Sequence, residues 1–188
     1  MKHDVSLMKS ILGKNFTKRN RFTRQCIGES IIALMQNKVF EEITISDIVK
    51  KAGVSRMTFY HYFQSKTDAL NSYLHEIIEL YLEECSRSIG IDSFYDAVHI
   101  RHAFLFFDQY SVFFLTLSNA NLHSLMIHAI NEYITKLVAP VYPHSAYELY
   151  YYGGALLNVF LKWEAGGKKE SVDEIVQVVC HCSNINEL

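Results

Sequence analysis

The sequence is poor in chain breakers: only Pro140 and Pro143, with eight glycines, interrupt 188 residues. Strict alternation of β-branched and polar residues is missing too, so helices are expected to dominate. No apolar run approaches the roughly 20 residues that span a bilayer. The opening MKHDVSLMKSILGKNFTK lacks the ordered basic, apolar and small-residue regions of a signal peptide. These absences predict a cytoplasmic chain with no membrane partner. The four cysteines, Cys26, Cys85, Cys180 and Cys182, are too few and too irregular for a disulfide framework and are expected as reduced thiols.

Catalytic patterns are equally scarce. Neither a nucleotide-binding loop, a nucleophile elbow nor an acid pair with supporting context is found, so no catalytic residue and no enzyme is expected. His75-Glu76 begins like a zincin helix, but Glu79 stands where the second histidine is required. His99 and His102 lack a third ligand nearby, and Cys180-His181-Cys182 places alternate residues on different helix faces. The reading is no metal and no cofactor.

What is present is apolar material and a divided charge. Hydrophobic residues make up 49% of the chain and aromatics 13%, ample for a sizeable core. Residues 1–68 carry 12 Lys/Arg against 6 Asp/Glu, a net +6, whereas residues 69–188 carry 6 against 14, a net −8. A basic segment favours a polyanion through phosphate neutralisation and counterion release; an acidic remainder holds that polyanion away. A solvated basic face would give the same count.

Helix starts can be read from capping pairs, a Ser or Thr followed three residues later by an acid: Thr44/Asp47, Ser65/Asp68, Ser145/Glu148 and Ser171/Glu174. Thr44 to Ala52 then forms a short helix, Gly53 breaks it, and Ser55 to Phe63 forms another. An upstream helix, about 23–36, sets Ile27, Ile31, Leu34 and Met35 on one face. From Thr67 a longer helix runs to about Arg87. Further helices are expected near 93–107, 109–118, 121–138, 145–164 and 171–183. The fold class is therefore all-α, with a basic extension at 1–22, a three-helix helix-turn-helix domain at 23–68 and a larger helical domain at 69–188.

On the second short helix, Phe59, Tyr62 and Phe63 share one arc and should pack inward. Met57, Tyr60, His61 and Gln64 share the opposite arc, with Arg56 on its flank. An exposed face with a phenol, an imidazole and a guanidinium suits the major groove. Ser55 and Ser65 cap helix N-termini, where free N–H groups can take a phosphate oxygen, and an external anion would explain the Lys66 cation in that first turn. Lys9, Lys14, Lys18, Arg19, Arg21 and Arg24 form a basic approach to the first helix.

The segment TISDIVKKAGVSRMTFYHYFQSKTDAL resembles the N-terminal domain of the TetR family of regulators. The family pattern is carried by Thr44, Ile48, Val49, Ala52, Gly53, Val54, Ser55, Phe59, Tyr60, Phe63, Ser65, Lys66 and Leu70. The resemblance implies phosphate contact by Thr44, Tyr60 and Lys66, and recognition by Arg56, Met57, Thr58 and His61 on a double-stranded operator. Tyr62, placed with the DNA-facing set, stands where many members have histidine. Met57 stands where many have glycine; it keeps the backbone away from DNA and offers an apolar contact, such as to a thymine methyl, in exchange.

In the larger domain, Leu149, Tyr152, Leu156, Phe160 and the mid-helix glycines Gly153 and Gly154 form a broad surface, with Ile175 and Val179 adding a stripe from the last helix. A paired glycine in a helix suggests close approach by another backbone. These two helices resemble those of the Firmicutes-type, dihydroxyacetone-kinase regulator group, which implies a four-helix homodimer interface. Helix-turn-helix readers pair across two half-sites. Tyr95, His99, His102, Phe106, Tyr110 and Phe113 could line an inducer pocket or simply fill a core. The expected function is a ligand-responsive repressor acting as a homodimer on a palindromic operator. The rival is a co-regulator of the same fold that works through a protein partner.

Overall fold

The computed structural model describes residues 18–88, 96–140 and 145–183. Among them are nine α-helices and no strand. They fall into two compact units, one of residues up to Glu79 with Asn119–Ala129, the other of Leu80–Ser118 with Ile130 onward. The division lies inside one long helix, eleven residues past the boundary expected at 68.

In the first unit α1 (Lys18–Met35) packs on α2 (Ile45–Ala52), and α2 on α3 (Arg56–Tyr62). A 3₁₀ turn, Phe40–Glu42, precedes α2. The capping box at its start is complete: Thr44 Oγ1 accepts from Asp47 N at 3.1 Å, and Asp47 Oδ2 accepts from Thr44 N at 2.9 Å. Those bonds, with Lys38 Nζ at 3.0 Å, hold the Asp47 carboxyl down at about 2. Gly53 ends α2 at φ 68°, a left-handed conformation that costs glycine nothing. The next helix, α4 (Lys66–Ser88), begins where Ser65 Oγ accepts from Asp68 N at 3.0 Å; Asp68 Oδ2 in turn accepts from Gln64 N at 2.9 Å, one residue before the cap. Ile27, Ile31, Ile48, Phe59 and Leu70 are all fully buried. This shared core fixes the attitude of α3.

The second unit contains α5 (Ala97–Asp108), α6 (Ser111–Asn119), the end of α7 (His123–Tyr133) with its π-helical continuation Ile134–Val138, α8 (Ala146–Ala165) and α9 (Val172–Ser183). Its centre is aromatic: Phe104, Phe107 and Phe114 surround Phe160 with ring centroids 5.6 to 6.5 Å apart. Trp163 Nε1 donates to Glu170 O at 2.9 Å and ties down the α8–α9 turn. α5 packs on α9, and Arg101 Nε meets Asp173 Oδ1 at 2.8 Å between them. The Ser171/Glu174 cap closes in both directions. Ser145 instead accepts from Tyr147 N at 3.3 Å.

Candidate nucleic-acid interface

The two-faced character of α3 follows from its helical period. Phe59 (0% exposed) and, just past the helix end, Phe63 anchor it in the core, while Met57 is 84% and Tyr60 54% exposed, and Arg56 and His61 are exposed beside them. The Phe59 ring supports Tyr60 edge-on at 5.5 Å, so the phenol stands on a buried neighbour. Between Asp47 and Asp68 the chain has no acidic residue, and Lys50, Lys51 and Arg56 are all exposed. Sequence reasoning passed over Lys50 and Lys51; their signal was the adjacent positive charge in the last turn of α2. The exposed face is cationic and aromatic.

Several expected contact residues have other partners. Lys66 Nζ donates to the carbonyls of Phe40 (2.5 Å), Glu41 (2.9 Å) and Ile43 (2.9 Å) and lies 4.6 Å from the Phe40 ring centroid. Three carbonyls account for a cation at this helix start, and no external anion is required. The Tyr62 hydroxyl donates to Asn20 Oδ1 at 3.1 Å, which turns its ring toward α1 and away from the Met57 face. Thr58, half-buried, pairs its hydroxyl with Ser55 Oγ at 2.9 Å, and Ser55 Oγ also accepts from Thr58 N. Thr44 is exposed but its hydroxyl donates to Asp47 Oδ2 at 2.8 Å.

The basic approach is also partly spent internally. Arg21 pairs with Glu76 (3.0 Å) and Glu79 (3.2 Å) on α4. Arg24 donates to Ser72 Oγ and lies 5.9 Å from the Phe63 centroid. Burial pushes the Glu76 carboxyl up, and Arg24 and Arg21 pull it back. These arginines lock α1 to α4, whereas Lys9, Lys14, Lys18 and Arg19 lie outside the residues whose side chains are described.

Residues 29–72 match the family of bacterial regulatory proteins named for tetR. The matched segment holds the α2–α3 pair, so it is this helix-turn-helix that is similar to the TetR family. The chain is 35% identical over 54 residues to the dhaKLM operon transcriptional activator DhaS of Lactococcus lactis, covering 29% of either chain. It is 46% identical over 46 residues to the transcriptional regulator EthR of Mycolicibacterium smegmatis, covering 24% of this chain and 21% of that one. The matched stretches thus span less than a third of each curated relative. In fold the likeness is longer. The Listeria innocua protein Lin0861 superposes with a TM-score of 0.76 at 15% identity over 91% of this chain and 94% of its own. The fatty acid degradation regulator FadR of Bacillus halodurans gives 0.55 at 16% over 89% and 95%. The curated relatives are regulators of transcription, not enzymes.

Outside the matched segment, the six candidate pocket residues are treated unequally. His99 is buried, with its ring edge-on to Tyr81 at 6.1 Å, and burial pulls its imidazole below the ordinary range. His102 stacks on Tyr81 at 5.7 Å, and Phe106 joins Tyr81 to Tyr110. Phe113 is buried, edge-on to Phe114 at 5.3 Å. Tyr95 lies outside the described residues. Four of the six thus form one aromatic cluster around Tyr81, a residue the sequence reading did not select. No group of three or more His, Cys, Asp or Glu gathers to hold a metal among the described residues, and no described helix is long and apolar enough to cross a membrane.

The residues expected at a dimer interface are divided between the interior and the surface of the unit. Leu149 and Phe160 are buried within the unit, and a Cβ on Gly153 would meet Ile130 Cγ2 at 2.8 Å. The close approach at Gly153 is therefore to α7 of the same chain. Tyr152, Leu156 and Val179 do line an open apolar groove, together with Tyr151, Ala155, Val159, Val178 and Cys182. Ile175, half-buried, is not among its lining residues.

Proposed function

We propose that this chain is a cytoplasmic regulator that binds double-stranded operator DNA as a homodimer and releases it on binding a small molecule. The observation that carries the reading is the α3 face: Arg56, Met57, Tyr60 and His61 exposed on a helix seated by Phe59, with no acid between Asp47 and Asp68. Side chains of this kind meet base edges and phosphates in the major groove. Lys66 acts by holding the 3₁₀ turn under Thr44, and Tyr62 by seating α3 on α1. Direct contact belongs to Arg56, Met57, Tyr60 and His61, with Thr44 and Lys51 at the phosphate margin.

The homodimer is assigned to the α8–α9 groove, whose exposed Tyr151 and Val178 leave apolar surface for a second copy. The inducer is assigned to the aromatic cluster around Tyr81. A ligand releases DNA only if it binds the form with the wrong spacing of recognition helices more tightly than the form with the right one. The name of the DhaS relative, an activator, supports the opposite sign of control; in the rival reading a protein partner carries the effect.

Fluorescence anisotropy against the DNA upstream of the gene, across salt concentrations, is the test. Steeply salt-dependent, sequence-selective binding by the protein alone is expected. Arg56→Ala should relax specificity, and Tyr60→Phe should weaken all sequences alike. Binding that requires a second protein would favour the co-regulator instead. Sedimentation of Tyr151→Arg, altered at a site 68% exposed in the single chain, should give a monomer where the wild type gives a dimer.

A further inference from the structure

The second residue of α3 is a methionine left almost wholly in water. Met57 is 84% exposed, more than any other large hydrophobic residue among those described. Phe59 and Phe63 on the same segment are turned into the core and leave its side chain open to solvent. A thioether chain carries no charge and only a weak acceptor, so it cannot distinguish the polar edges of bases. In the major groove the apolar group on offer is the methyl at C5 of thymine. Residues at the start of a recognition helix are the ones that reach base edges, and Met57 occupies that place.

We propose that Met57 reads a pyrimidine C5-methyl group, and not a base identity, at one position of each operator half-site. This deepens the DNA-binding reading above and rests on it. The chemistry separates two quantities that sequence preference normally mixes. Thymine and uracil differ only by the methyl, and so do 5-methylcytosine and cytosine; their polar edges differ between the pairs. Arg56, Tyr60 or His61 can favour one polar edge over another, but a residue that contacts the methyl alone gives the same preference within both pairs. A protein partner covering Met57 predicts no such preference.

The half-site is first obtained by selecting from random duplex DNA with the full chain. Each pyrimidine position is then occupied in turn by thymine, uracil, cytosine and 5-methylcytosine, and dissociation constants are measured for wild type and Met57→Ala. One position per half-site should give thymine over uracil, and 5-methylcytosine over cytosine, each by about fourfold, the factor for one buried methyl-sized group. Both ratios should fall to about one in Met57→Ala, whose thermal unfolding should match the wild type because the site is exposed. Ratios within about 1.5-fold of unity at every position, or methyl ratios that persist in Met57→Ala, overturn the inference and leave DNA binding standing. Failure to select any sequence overturns both.

Discussion

Lys66 Nζ lies 4.6 Å from the centroid of the Phe40 ring and donates to the Phe40 carbonyl at 2.5 Å and to those of Glu41 and Ile43 at 2.9 Å. One side chain at the start of α4 thus satisfies the carbonyls of a 3₁₀ turn 23 to 26 residues upstream. Replacing it by methionine takes a charged donor from three carbonyls, of which Phe40's keeps its bond from Ile43 N, and removes the cation from the ring. Hydrogen bonds to a charged group are worth about 2 kcal/mol net. Lys66→Met should therefore lower the stability of the first unit by about that amount in urea unfolding. If Lys66 served phosphate alone, stability would be unchanged and only the salt dependence of DNA binding would fall.

Arg21 and Glu76 supply a second test, with a defined pH dependence. Glu76 is buried, paired with Arg21 at 3.0 Å, and its carboxyl is already pushed up by burial. Arg21→Met removes a group that pulls it down, so it rises further. A carboxyl raised in the folded state contributes stability that is present at low pH and lost as pH rises through the folded value. The variant should be destabilised by about 1–3 kcal/mol at neutral pH, the cost of a buried carboxylate left with Arg24 but without its hydrogen-bonded Arg21, and by less near pH 5. Paired unfolding curves at the two pH values check this; a deficit independent of pH would mean that Arg21 stabilises by packing and not through the Glu76 charge.

What was readable in the sequence and what was not divides along the range of the interaction. The Thr44/Asp47 and Ser171/Glu174 caps are local chemistry over three residues, and both closed as expected. The α3 face was readable because Phe59 and Phe63 on one side and Met57, Tyr60 and His61 on the other differ in kind. Lys66 was not readable: its acceptors are backbone carbonyls, which carry no mark in a sequence. Arg21 and Arg24 looked like free cations because Glu76 and Ser72 are some fifty residues away. The register of α8 was hidden for another reason. Leu149, Tyr152, Leu156, Leu157, Val159, Phe160, Leu161 and Trp163 surround the helix, so periodicity alone does not choose which stripe faces inward.

Two glycines in helices should respond to alanine with opposite signs. A Cβ on Gly28 of α1 would lie 2.6 to 2.8 Å from Tyr73 Cγ, Cβ and Cδ1, atoms too near the α4 backbone to swing aside. On Gly154 of α8 it would meet nothing within 4 Å. Alanine is favoured over glycine in a helix by about 1 kcal/mol. Gly154→Ala should gain about 0.5–1 kcal/mol, whereas overpacking should turn Gly28→Ala into a net loss of about 1–2 kcal/mol. Chemical denaturation of both variants decides it, and equal gains would mean that α1 and α4 move apart freely.

The end of α8 holds a buried carboxyl with a different pH signature. Glu164 is buried, and its carboxyl is pushed up to about 7, first by desolvation and then by a shared hydrogen bond with Asp108; Lys168, which donates to Asp108 and lies 3.7 Å from Glu164 Oε2, opposes the rise. A raised folded value means that the folded protein holds this proton more tightly than the unfolded chain. Its stabilising contribution is complete below the ordinary glutamate value of 4.5 and is lost as pH rises toward 7. Over that window the loss is on the order of 3 kcal/mol. Glu164→Gln keeps the shape and a hydrogen-bond donor but cannot ionise. Its stability should therefore lack this decline and exceed the wild type above neutrality. Unfolding free energies of the two proteins measured side by side from pH 4 to 8 isolate the group from every other titration, and parallel curves would exclude a bound proton at Glu164.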